Sequence, residues 1–148
     1  MPSLKVVVDA NLAIPLVLDT PISDRADRLW ADWKTNGVEA VAPYLWIYEV
    51  TSALHKIYML RQIDEKSAQS ALDTLLSLGI TLVNDDYLTH EAFNWATKLD
   101  RQAVYDCFYL VLAKQIKADF WTADKALYHA AHQAGAAWVR WFAEAAKD

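Results

Sequence analysis

Apolar residues along this chain follow two alternating rhythms. Short runs such as Leu4 to Val8 are apolar at almost every position, whereas the longer stretches between them repeat apolar residues every three or four positions. A short unbroken run suits a strand buried on both faces, and the longer period suits a helix with one apolar side. Strands are therefore expected at Leu4–Val8, Val38–Ala42, Ile80–Val83, Asp119–Thr122 and Ala137–Arg140, with the first in a central place. Strand and helix patterns that alternate predict an α/β fold, with a central, mostly parallel five-stranded sheet and helices on both faces.

The helices carry recognisable starts and stops. Ser23 is placed to cap a helix bearing Ala26, Leu29, Trp30 and Trp33, with Gly37 as its stop signal. Pro43 is suited to open the next helix, where its missing N–H costs nothing, and that helix is expected to run to about Arg61. Asp64 caps the segment Glu65 to Leu78, closed by Gly79. Asp86 or Thr89 caps a helix through Leu99, a further helix covers roughly Val104 to Lys117, and Asp124 precedes the last, ended by Gly135. No repeat, linker or low-complexity tract divides the pattern, so residues 1–148 read as a single domain.

Composition narrows the picture. A chain of 148 residues buries a core without covalent help, and its only cysteine, Cys107, forbids an internal disulfide and fits a reducing compartment. No apolar run approaches about 18 residues and no basic leader precedes the first strand, so a cytoplasmic protein without a membrane span is expected. A net charge of -5 speaks against broad nonspecific binding of nucleic acid, although a local rim drawn from Lys56, Arg61, Lys114, Lys117 and Lys125 could still hold a phosphate backbone.

Four acids stand where apolar segments begin or end: Asp9, Glu49, Asp106 and Asp124. A carboxylate beside a buried segment needs a partner, and clustered carboxylates are the preferred ligands of hard divalent cations. In an open parallel sheet such groups gather beyond the carboxyl ends of the strands. Asp9 and Asp124 meet there if the first and fourth strands are neighbours. Each acid also has a plain structural reading: Asp9 as a turn residue, Asp124 as a helix cap, Asp106 as a charge favourable to a helix start, and Glu49 as a solvated helix flank.

The segments Val6-Val7-Val8-Asp9-Ala10-Asn11, Glu49-Val50-Thr51-Ser52-Ala53-Leu54, Tyr105-Asp106-Cys107-Phe108-Tyr109-Leu110-Val111-Leu112-Ala113 and Phe120-Trp121-Thr122-Ala123-Asp124-Lys125-Ala126-Leu127 together resemble the PIN domain, especially its short VapC-type toxin members. The resemblance spans the chain, with the segments in family order. It implies that Asp9, Glu49, Asp106 and Asp124 hold Mg²⁺ or Mn²⁺ and catalyse, with Asn11 and Thr122 in support. Asn11 stands where the family often has Ser or Thr. The implied activity is a metal-dependent endoribonuclease, the toxin of a type II toxin–antitoxin pair, with an RNA substrate, a cognate antitoxin and a homodimeric state.

Two rival readings fit part of the same pattern. A PIN-like module without catalysis would bind nucleic acid or protein through the same fold. A receiver or haloacid-dehalogenase-like phosphatase would also use an Asp after the first strand, but the phosphatases need a second Asp where Asn11 stands. Seven tryptophans invite a choice between core packing and a partner groove around Trp30 and Trp33. His129 and His132 share a helix face but lack companions for a zinc site.

Overall fold

The computed structural model describes residues 4–147, so the expected single-domain span runs slightly past it at both ends. The sheet comprises β1 (Lys5–Val8), β2 (Glu39–Pro43), β3 (Thr81–Val83), β4 (Asp119–Thr122) and β5 (Val139–Trp141). Its spatial order is β3-β2-β1-β4-β5, and every neighbouring pair is parallel. The first strand is thus central. Successive side chains of a strand point to opposite faces, and here both faces are covered. Val7 lies in the larger core, beneath α2 (Leu45–Met59), α4 (Thr89–Lys98) and α5 (Tyr105–Ile116), while Val6 and Val8 join the smaller core beneath α1 (Ser23–Thr35). That double burial is why the strand reads as unbroken apolar sequence.

Helix α5 is the most deeply set. Cys107 and the run Tyr109 to Ala113 have no exposed surface, and burial raises the Cys107 thiol to about 11. The remaining helices are α3 (Glu65–Leu76) and α6 (Lys125–Gln133). Asp64 caps α3 through a 2.7 Å bond from the Ser67 N–H, as its spacing predicts.

Three expectations change. Pro43 ends β2 instead of opening a helix; Tyr44 N–H, bonded to the Val83 carbonyl at 3.0 Å, carries the backbone on to α2. Ser23 lies inside α1, and its hydroxyl ties down the preceding turn, donating to the Leu18 carbonyl at 2.9 Å and accepting the Thr20 N–H at 2.8 Å. Neither Asp86 nor Thr89 caps α4 through its side chain, since Asp86 begins a separate one-turn helix. Trp33 and Trp46 are buried and Trp30 donates its ring N–H to the Leu12 carbonyl at 3.1 Å, so packing uses all three rings, while Trp30 and Trp33 also line a hollow of about 410 Å³ with Lys34, Val38 and Leu78.

Candidate active site

Chain order β1-β2-β3 on one side and β4-β5 on the other places the reversal of direction between β1 and β4. A crevice opens there at the carboxyl ends of the strands. Asp9 leaves β1 directly into it and is only 6% exposed. One carboxylate oxygen accepts the Asn11 N–H at 3.2 Å, and the other accepts the Thr122 hydroxyl at 2.9 Å. Burial first, then the negative charge of Asp106 and a smaller contribution from Glu49, push this carboxyl up to about 7 despite those two bonds.

Asn11 and Thr122 form the clasp beneath it. The Asn11 side chain donates to Thr122 Oγ1 at 3.1 Å and accepts the Ala123 N–H at 3.0 Å, joining the loop after β1 to the loop after β4. Thr122 Oγ1 also accepts the Asp124 N–H at 3.1 Å. An amide offers both a donor and an acceptor, so Asn11 makes two bonds across the crevice floor where a hydroxyl has less reach.

Glu49 arrives from α2 and Asp106 from the first turn of α5. Glu49 accepts the buried Tyr109 hydroxyl at 2.5 Å; burial raises its carboxyl, that bond opposes the rise, and Asp106 adds to it. Tyr109, in turn, is held far above its ordinary range by burial beside Asp9 and Glu49. Burial also raises Asp106, the neighbouring Arg101 opposes this, and Asp124 adds to the rise. Asp124 does cap α6, accepting the Leu127 N–H at 3.0 Å, yet its second oxygen stands 3.5 Å from Arg101. The cap reading of Asp124 thus holds, and the same side chain reaches the guanidinium that pairs with Asp106.

Asp9, Asn11, Glu49 and Asp106 line a cleft of about 570 Å³ together with the apolar Ile14, Pro21 and Ile22. Asp124 stands outside that lining and joins it through Arg101, which also pairs with Asp106 at 2.8 Å. Among the described residues, no three Asp, Glu, His or Cys side chains are close enough as they stand to share one ion. The donor chemistry nevertheless fits a hard divalent cation: all four groups are carboxylates, and burial and crowding make negative charge costly in three of them. A second hollow, bounded by Tyr48, Glu49, Lys56 and Tyr105, adjoins the cleft across Glu49.

Arg101 and Tyr109 escape the sequence reading. Tyr109 sits one helical turn after Asp106, a spacing that shares its face, but it reads there as part of an apolar stripe. Arg101 lies in an irregular connection where periodicity carries no signal.

A five-stranded parallel sheet covered on both faces, with an acidic crevice at its reversal point, defines a single α/β domain. The PIN domain model matches residues 6–133, and the chain belongs to the PIN-domain family. No curated protein sequence matches significantly. Among solved structures, the chain is similar to PAE2754 from Pyrobaculum aerophilum, with 22% identity and a TM-score of 0.64 over 86% of this chain and 84% of that one. It is similar to VapC20 of Mycobacterium tuberculosis, described as a Sarcin-Ricin loop cleaving toxin, with 17% identity and a TM-score of 0.66 over 84% and 94%. It also resembles a chain of VapBC2 from Rickettsia felis, solved bound to a DNA fragment from their promoter, with 14% identity and a TM-score of 0.68 over 93% and 98%. These likenesses establish a shared fold.

Proposed function

We propose that this protein is a Mg²⁺- or Mn²⁺-dependent endoribonuclease, acting in the cytoplasm as the toxin of a type II toxin–antitoxin pair. The observation that carries the reading is Asp9. It is buried, aimed into a cleft shared with Glu49 and Asp106, and raised to about 7 by burial and by its acidic neighbours. A buried acid with no nearby base to pair it is costly to ionise unless a cation joins it. PIN-domain proteins are typically nucleases, and the VapC and VapBC likenesses support a toxin with a cognate antitoxin.

Asp9, Glu49, Asp106 and Asp124 would hold the ion, which when bound supplies a more acidic water and charge stabilisation at a phosphodiester. The chain's own residues do the rest. Asn11 and Thr122 fix the Asp9 carboxylate in place. The Tyr109 hydroxyl fixes Glu49 and leaves its second oxygen free for the cleft. In the adjoining hollow, Tyr48 and Tyr105 are exposed and able to stack on unpaired bases, with Lys56 beside them for a phosphate. That arrangement favours single-stranded RNA.

One observation favours a second reading, a PIN-like interaction module without catalysis. Arg101 already neutralises two of the four acids. Cleavage of a labelled RNA by purified protein separates the two. Activity with Mg²⁺ or Mn²⁺ should vanish in EDTA, and Asp9→Asn or Asp106→Asn should reduce it by more than the roughly 10–100-fold typical of groups outside the ligand shell. Full activity in both variants would sink the assignment of these acids, and no cleavage by the folded wild type with either ion would favour the interaction module.

A further inference from the structure

Arg101 occupies a position unlike that of any other paired base among the described residues. Lys5, Lys114 and Arg140 each pair with one surface acid, whereas the Arg101 guanidinium reaches two members of the quartet at once, Asp106 at 2.8 Å and Asp124 at 3.5 Å. Its side chain is 27% exposed, so the contacts are partly shielded from water. The backbone beneath is anchored by the Arg101 N–H donating to the Ala96 carbonyl at 3.0 Å, and Asp100 before it turns the chain at a φ of 53°. Beyond that anchor, residues 101–104 form neither helix nor strand.

The geometry points to Arg101 as a resident counter-ion of the acid site, which a divalent cation must displace in order to bind Asp106 and Asp124. This rests on the quartet being a cation site. A guanidinium presents several donors in one plane and suits two carboxylates that face it. It carries only a single positive charge, so a doubly charged ion drawn by all four acids can replace it, but only by breaking both contacts. Arg101 is in this sense a positioning residue. It holds the Asp106 and Asp124 carboxylates on its own guanidinium, and so sets the cation concentration at which those two acids turn to the ion.

Calorimetric titration with MnCl₂ at neutral pH tests this, alongside melting in EDTA. Arg101→Gln should bind Mn²⁺ about five- to tenfold more tightly than the wild type, as expected when a charged hydrogen bond no longer has to be broken. It should also melt lower in EDTA, because the acids lose their counter-ion. Lys34→Gln, the same charge change on exposed α1, should match the wild type in both measurements. A purely structural arginine would lower the melting temperature without tightening Mn²⁺. If Arg101→Gln does not fold, Arg101→Lys carries the test: one ammonium spans two carboxylates poorly, and Mn²⁺ affinity should still rise above wild type. Wild-type binding with no gain in either variant overturns the inference and leaves the cation site standing. Absence of Mn²⁺ binding in every variant removes the cation site itself, and this inference with it.

Discussion

A carboxyl group raised to about 7 makes Asp9 a thermodynamic cost as well as a candidate ligand. Between its ordinary value of 3.8 and about 7, the unfolded chain has released a proton that the folded chain retains, so the contribution of Asp9 to stability declines as pH rises through that window. Asp9→Asn removes the dependence. In EDTA the variant should be more stable than the wild type at about pH 8 by an amount on the order of a few kcal/mol, and the gap should close towards about pH 4. Calorimetry across that range would show it; a gap that is constant with pH would mean Asp9 is not held protonated. Asn11→Ala should act differently. It opens the clasp between the two loops at a cost of about 1–3 kcal/mol, and lowers cleavage by roughly 10-fold, less than removal of an acid.

At the scale of elements, α2 and α5 do most to build the site. Their buried faces, with Trp46, Val50 and Leu54 on one and Leu110 to Ala113 on the other, seat Glu49 and Asp106 against the sheet. Burying each such side chain contributes about 1.5–3 kcal/mol, enough to hold two acids near one another. The same helices leave Tyr48 and Tyr105 69% and 57% exposed around the hollow beside Glu49. Substituting either by Ala in the non-cleaving Asp106→Asn background should weaken binding of single-stranded RNA by about 1–3 kcal/mol per stacked base while leaving the melting temperature nearly unchanged. Unaltered affinity in both would move the RNA path elsewhere. Trp33→Ala, by contrast, should destabilise by about 3–5 kcal/mol, since its ring packs edge-on against Trp30 and Trp121 within the smaller core.

For the whole molecule, Mn²⁺ that binds only the folded state should raise the melting temperature by an amount that grows with the logarithm of its excess over the dissociation constant. Expression of the chain by itself should arrest growth, and co-expression of an adjacent small antitoxin gene should restore it through a stable complex. Harmless expression of folded protein that retains all four acids would count against the toxin assignment. No helix among the described residues is long and apolar enough to cross a membrane.

Periodicity by itself determined the alternation of strands and helices, the doubly buried β1, and the Asp64 and Asp124 caps, because each depends on neighbours within a few positions. The four motifs were legible for the same reason, but strand adjacency was not, and the meeting of Asp9 with Asp124 expected from it takes the form of a bond from Thr122 to Asp9, with Asp124 set outside the cleft. Only the tertiary structure decided that Asn11 would bond to Thr122 across 111 positions, that Tyr109 would reach Glu49 across 60, and that Arg101 would enter the acid site. It also decided that Pro43 would end a strand, since that outcome depends on β3 accepting the chain beside it. Local patterns encode which side of an element is buried; strand order decides which distant side chains then share a crevice, and the charge of that crevice exists only after they meet.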